Sequence, residues 1–183
     1  MVQTETPDRH IPSFILSSPL RRLFENPYSI LREFIKEGMT VLDHGSGPGF
    51  YTIPMAKLVG EKGTVYAVDS DKRSIEKLQR KLKSLGINNV VTYVSRDLSI
   101  IPSGSVDFVL SKDVLCCTVL HKELAMDIER VLKKGGKAYV TVRLGKVGKD
   151  PRSLSPEEFF SLFTNVKKKG KGKFSAWVIL EKE

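Results

Sequence analysis

Val41-Leu42-Asp43-His44-Gly45-Ser46-Gly47-Pro48-Gly49-Phe50-Tyr51-Thr52 decides how this chain is read. A short apolar run ends in an acid, and glycines follow at positions 45, 47 and 49. The run predicts a buried strand, and the glycine-rich turn is expected to open into a helix. Lacking Cβ atoms, these glycines let the backbone turn tightly and let a ligand approach the main chain. A nucleotide-like ligand at the carboxyl end of the first strand of an α/β sheet is the default expectation for such a loop.

A dinucleotide fold is the competing reading, and its fingerprint is G-x-G-x-x-G. Counted from Gly45, the sixth residue is Phe50, so the pattern fails. Asp43 at the strand end would also repel a pyrophosphate, whereas a ligand with a cationic amino-acid portion tolerates a carboxylate there. The D-x-G-x-G-x-G run resembles motif I of the class I S-adenosylmethionine-dependent methyltransferases. That resemblance implies an α/β fold: a three-layer Rossmann-like sandwich on a mostly parallel seven-stranded sheet whose last strand is antiparallel. It implies S-adenosyl-L-methionine as cofactor, with Gly45, Ser46 and Gly47 against its methionine part. Asp43 is expected to serve the donor amino group, directly or through water.

Working outward, Asn26-Pro27 starts a helix whose apolar face is Ile30, Leu31, Phe34 and Ile35, and Gly38 ends it. Ser18-Pro19 opens an earlier helical turn reaching Phe24. Asn-Pro-Tyr at 26–28 is not the Asn-Pro-Pro-Tyr box of amino-group methyltransferases, which has a second proline and follows the fourth strand. After the glycine loop, Phe50 to Leu58 reads as a crossover helix and Thr64 to Val68 as the second strand, ending in Asp69-Ser70-Asp71. Asp69 lies 22 positions past Gly47, close to the roughly 20-residue offset at which an acid meets a ribose hydroxyl pair. Asp71 is better placed than Asp69 to cap the next helix, Lys72 to Leu85. Ser70 falls beside this ribose position and is counted with the cofactor site.

Val90 to Val94 reads as the third strand, and Val106 to Leu110 as the fourth. In the family an acid just past the third strand receives the adenine amino group, and the next backbone amide meets the ring; Asp97 and Leu98 match that position. Ser111-Lys112-Asp113 follows strand four, where the family lines the methyl-transfer site, so Ser111 joins the expected cofactor-binding set. Glu129-Arg130-Val131-Leu132-Lys133-Lys134-Gly135-Gly136 resembles the family's R-V-L-K-P-G-G segment, with Lys134 in place of the proline. Leu120, Leu124, Ile128, Val131 and Leu132 share a helical face before it, and Lys137 to Val142 is the fifth strand. Ser155 and Glu158 form a capping box for a helix over 157–163. A sixth strand near 165–168 and a seventh over 174–180 complete the sheet. The resemblance covers roughly residues 27–183.

At 183 residues the chain is long enough for one domain with a proper core. Residues 38–183 are expected to form the cofactor-binding core, and 1–37 a helical extension and candidate lid. No apolar run of about 18 residues predicts a membrane span, and the first residues carry no secretory core, so cytoplasmic residence is the default. Cys116 and Cys117 are adjacent, and His10, His44 and His121 are scattered. No metal-ligand spacing results.

Net charge is +9, and residues 143–183 supply five of those positive charges, with ten Lys and Arg against five acids. If strand seven returns antiparallel, Lys167, Lys168, Lys169, Lys171 and Lys173 fringe the substrate edge, with Arg143 and Lys146 beside them. Such a rim favours an anionic small-molecule acceptor, with RNA as the alternative; a solvated edge hairpin is the competing reading. Methyl transfer from a sulfonium needs alignment and exclusion of water more than covalent help. No catalytic residue is therefore assigned, although Asp113 and His121 lie where a base would be wanted. The absence of an acceptor motif after strand four also leaves a non-catalytic S-adenosylmethionine-binding module in play.

Overall fold

A computed structural model describes residues 8–9, 25–145 and 149–183. The elements in chain order are α1 (Pro27–Phe34), β1 (Thr40–His44), α2 (Thr52–Val59), β2 (Thr64–Asp69), α3 (Lys72–Ser84), β3 (Val90–Val94) and β4 (Val106–Lys112). A 3-10 turn (Leu115–Cys117) leads to α4 (His121–Val131), β5 (Leu132–Arg143), α5 (Pro156–Ser161), β6 (Val166–Lys171) and β7 (Ser175–Glu181). The strands form one seven-stranded sheet in the order β3-β2-β1-β4-β5-β7-β6. Pairing from β3 to β5 is parallel throughout, and β7 runs antiparallel to both β5 and β6. The expected mostly parallel sheet with an antiparallel last strand is therefore present.

Parallel strands covered on both faces must be apolar on both sides. Val41 and Val65 pack with Leu31, Met55 and Phe108 on the face of α1 and α2, and α3 covers Ala67 on that same face through Leu78 and Leu82. Leu42, Val68, Val109, Val140 and Val178 point the other way and pack with Ala125, Ile128 and Phe159 of α4 and α5. Helices thus flank the sheet as outer layers, and strand order reverses at β1/β4. In open α/β sheets that switch point is where ligands bind.

Local chemistry explains the element ends. The Asn26 side chain accepts from Tyr28 N–H and caps α1 with Pro27 in its first turn. Asp71 accepts from Arg73 and Ser74 N–H to cap α3, and Ser155 with Glu158 completes the capping box of α5. Several expected boundaries move. β4 continues through Ser111 and Lys112 because both pair with β5. Leu132 belongs to β5, where it pairs with Val106 across a bulge that takes up Gly135 and Gly136. β6 ends at Lys171 rather than 168, held by its pairing with β7.

Within the expected 1–37 extension, α1 is part of the core: Leu31 is fully buried and Ile35 nearly so. The Ser18-Pro19 turn and, apart from Asp8 and Arg9, the candidate lid upstream of Glu25 lie outside the described residues. Among the described residues no helix is long and apolar enough to cross a membrane.

Candidate functional site

The glycine loop leaves β1 at the switch point. Gly45, Gly47 and Gly49 adopt φ of 76°, 51° and 89°, a region that L-residues with a Cβ rarely occupy. Gly45 and Ser46 N–H both donate to Val68 O of β2, at 2.8 and 3.1 Å. A Cβ on Gly45 would stand 2.3 Å from Val114 Cγ2, so the turn after β4 rests directly on this loop. Lys81 of α3 ties the far side through Nζ to Pro48 O at 2.9 Å.

Asp69 reaches into the loop from the end of β2. Its Oδ2 accepts from Gly47 N–H at 2.7 Å and its Oδ1 from Asp71 N–H at 2.8 Å. These two amides hold the carboxylate against the glycine loop. Ser70, next in sequence, is half-buried. Asp43 is buried beneath the loop and accepts from Thr52 Oγ1 at 2.6 Å. Ser46 is buried, and its Oγ has no hydrogen-bond partner among the described residues. A buried hydroxyl without a partner costs about 1–3 kcal/mol, and a polar ligand in the loop would relieve that cost.

Asp97 stands exposed past β3. Its Oδ1 accepts from Ser99 Oγ at 2.7 Å and Ser99 N–H at 3.0 Å, and these bonds hold its carboxyl below the usual carboxylate range. Leu98 departs from expectation. Its side chain is fully buried, and its N–H is given to Asp127 Oδ2 at 3.2 Å. Asp127 also accepts from Arg130 Nε at 2.7 Å, and Arg130 donates to Leu98 O and Ile101 O at 2.8 and 2.9 Å. This α4 pair therefore fixes the backbone that presents Asp97. The sequence signal for it was the Asp-x-x-Arg spacing on one helix face.

Ser111 also differs from its expected place. It is fully buried inside β4 and lies 3.0 Å through Oγ from His44 Nδ1. Burial lowers the His44 pKa to about 4, with Asp127 opposing. The pair is a neutral polar bridge under the site. His44 and Ser111 lie 67 residues apart in sequence, so no local spacing marks His44 as part of the site.

The turn after β4 carries the second half of the edge. Asp113 has φ of 59°, the one positive φ outside glycine among the described residues. Its Oδ1 accepts from Thr141 Oγ1 at 3.0 Å, and its Oδ2 from Arg143 Nε at 3.2 Å with Lys112 Nζ at 3.6 Å. Its carbonyl accepts from the thiols of Cys116 and Cys117, both at 3.4 Å. The thiol of Cys116 lowers the Cys117 pKa to about 7 against the effect of burial. A pocket of about 420 Å³ opens here, lined by Asp113, Thr141, Arg143, Tyr139 and Trp177 among others. His121 lies elsewhere, in the first turn of α4, with Nε2 buried and without a hydrogen-bond partner among the described residues. Among the described residues no cluster of three or more metal-ligating side chains exists.

The expected basic rim is only partly on this edge. Lys167 pairs with Glu183 at the end of β7, at the opposite edge of the sheet. Lys171 and Lys173 sit near the β6–β7 turn, where Lys171 meets Glu157 and Lys173 covers Phe174. Lys169 covers Phe160. Lys146 lies outside the described residues.

Comparison with known proteins agrees with this geometry. Residues 35–170 match a family model described as a methyltransferase domain. The ubiquinone/menaquinone biosynthesis C-methyltransferase UbiE of Blochmanniella floridana is 31% identical over 129 residues, covering 69% of this chain and 50% of that protein. The protein-L-isoaspartate O-methyltransferase of Thermotoga maritima is 30% identical over 133 residues, covering 73% of this chain and 40% of its own length. The chain thus spans half or less of these two relatives. The crystal structure of a SAM-dependent methyltransferase from Aquifex aeolicus superposes with a TM-score of 0.78 at 29% identity, covering 94% of this chain and 99% of the other. These matches, on a seven-stranded sheet with a glycine loop at its switch point, show that the chain belongs to the class I S-adenosylmethionine-dependent methyltransferase family.

Proposed function

We propose that this protein transfers a methyl group from S-adenosylmethionine to an anionic small-molecule acceptor. The observation that carries the donor half is the Asp69 carboxylate bonded to Gly47 N–H beside the unpartnered Ser46 hydroxyl. Gly45, Ser46 and Gly47 would hold the methionine part, with the buried Asp43 carboxylate favouring the donor's ammonium. Asp69, with Ser70 beside it, would receive the ribose hydroxyls, and Asp97 the adenine amino group. Leu98 would contribute its position on the pinned backbone rather than its already committed amide. Ser111 would act from beneath, holding His44 in place. Bound S-adenosylmethionine supplies an activated methyl group on a good leaving group. The chain's own task is then to align the acceptor and exclude water. Asp113 is bonded to Thr141 and Arg143 and approached by Lys112, contacts that suit it to positioning.

A small acceptor is favoured over RNA because the hairpin lysines are spread along an edge strand and meet local partners. Lysines on an edge strand also discourage pairing with other chains. Incubation with methyl-tritiated donor and separated cell fractions tests the reading. Label is expected in the small-molecule fraction. Label confined to RNA would replace the small-molecule acceptor with a nucleic acid, and donor binding without any transfer would favour a non-catalytic module.

A further inference from the structure

The helices α1 to α3 cover β1 to β4 on one face of the sheet, and Phe34 of α1 reaches as far as Tyr139 on β5, with ring centroids 6.1 Å apart. Beyond it, on that same face, β5 and β7 present Tyr139 beside Trp177, centroids 6.3 Å apart and tilted by 37°. These rings form the apolar wall of the 420 Å³ pocket. That volume lies in the range of small-molecule sites. Phe174, 70% exposed, stands at the rim. Large exposed aromatics beside a concave site are places where a ligand's apolar surface can be covered.

The polar side of the pocket is built around one arginine. Arg143 donates Nε to Asp113, which is anchored in turn by Thr141 and by its own strained backbone. A non-glycine residue held in the left-handed region usually persists because its surroundings need it there. The terminal guanidinium nitrogens of Arg143 have no partner among the described residues, and its side chain is 72% exposed. An arginine fixed by its Nε keeps a planar pair of donors for a carboxylate. The neighbouring Lys112 is less available, since it faces both Glu25 and Asp113 at 3.3 and 3.6 Å. An amine acceptor anchored on Asp113 fits poorly, because Arg143, Thr141 and Lys112 already occupy that carboxylate's surroundings.

The pocket also adjoins the donor loop. Val114 follows Asp113 directly, and its Cγ2 lies against Gly45. We infer that this pocket binds a planar aromatic carboxylate, with Arg143 taking the carboxylate and Tyr139 and Trp177 flanking the ring. The inference rests on the methyltransferase reading for its meaning as an acceptor site, but its binding chemistry can be tested separately. Arg143 acts on the substrate itself, and Asp113 is a positioning residue that acts through it.

Trp177 is the chain's single tryptophan, so intrinsic fluorescence reports the pocket without a label. The experiment titrates 4-hydroxybenzoate and its uncharged counterpart 4-hydroxybenzamide into wild type, Arg143→Gln and Arg143→Lys. Calorimetry with S-adenosylmethionine is run on the same preparations. Wild type is expected to show a saturable Trp177 change with at least a fivefold preference for the acid. Arg143→Gln should lose that preference, Arg143→Lys should keep part of it, and donor affinity should stay within twofold in both. No saturable change, a preference below fivefold, or a preference that survives in Arg143→Gln overturns the inference. If the titration succeeds while S-adenosylmethionine fails to bind wild type, the pocket stands and the methyltransferase reading falls.

Discussion

The two halves of the sheet's carboxyl edge are built in different ways. At the β1–β2 end, backbone amides do the holding: Gly45 and Ser46 bond to Val68 O, and Gly47 and Asp71 bond to Asp69. At the β4–β5–β7 end, side chains hold side chains: Thr141 and Arg143 grip Asp113, and Tyr139 meets Trp177. Backbone bonds among glycines fix one shape whatever the neighbouring side chains are. Side-chain networks can be rebuilt residue by residue on the same sheet. The β1–β2 end is therefore suited to a constant ligand and the β4–β5–β7 end to a variable one, in keeping with function residing in sites placed on a shared fold.

The largest expected effect breaks the rigid half. Gly45→Ala forces a Cβ into a left-handed residue and to within 2.3 Å of Val114 Cγ2. Strain of about 1–2 kcal/mol and overpacking of about 1–3 kcal/mol together imply a loss of about 2–5 kcal/mol in urea unfolding. The same change at exposed Gly38, where nothing lies within 4 Å of an added Cβ, should cost only the backbone part.

His44 sharpens the comparison from beneath. Its folded pKa is about 4, against 6.5 for the free side chain, so the unfolded chain binds the extra proton between those values. This contribution to stability is complete above about pH 6.5 and is lost as pH falls towards 4, amounting to about 3 kcal/mol across the window. His44→Gln keeps a group able to bond Ser111 but cannot titrate. Urea midpoints measured from pH 7.5 to 4.5 should therefore fall less steeply in the variant than in wild type. Parallel curves would mean that His44 is not held neutral by burial.

How much of this was legible in the sequence follows the same division. The glycine loop, Asp69 and the caps at Asn26, Asp71 and Ser155 depend on residues close together in the chain, and their spacing announced them. Ser111 and Leu98 were assigned to a ligand by position alone, yet Ser111 is turned to His44 across the β1–β4 pair and the Leu98 amide to Asp127 on α4. Both partners are distant in sequence, so spacing could not show them. The same holds for the pocket, whose residues come from β4, β5 and β7. The lysine rim misled because β6 runs on to Lys171 and carries Lys167 to the far edge of the sheet.

The smallest expected effect is at those lysines. Lys167→Gln and Lys171→Gln each remove an exposed ion pair, at 3.8 and 3.7 Å. Such pairs contribute about 0–1 kcal/mol, so each change should shift unfolding free energy by about 0.5 kcal/mol or less. Donor affinity should not move. A marked loss of donor affinity in either variant would show that the edge strand takes part in the site.

Calorimetric titration of wild type and Asp69→Ala with S-adenosylmethionine, alongside NAD, tests the donor site most directly. Wild type is expected to bind S-adenosylmethionine in preference to NAD, because Asp43 disfavours a pyrophosphate at the glycine loop. Asp69→Ala should weaken the donor by at least about 1 kcal/mol, the scale of a lost charged hydrogen bond. Unchanged affinity in Asp69→Ala, or NAD binding as tightly as S-adenosylmethionine, would contradict a methyl-donor site at this loop.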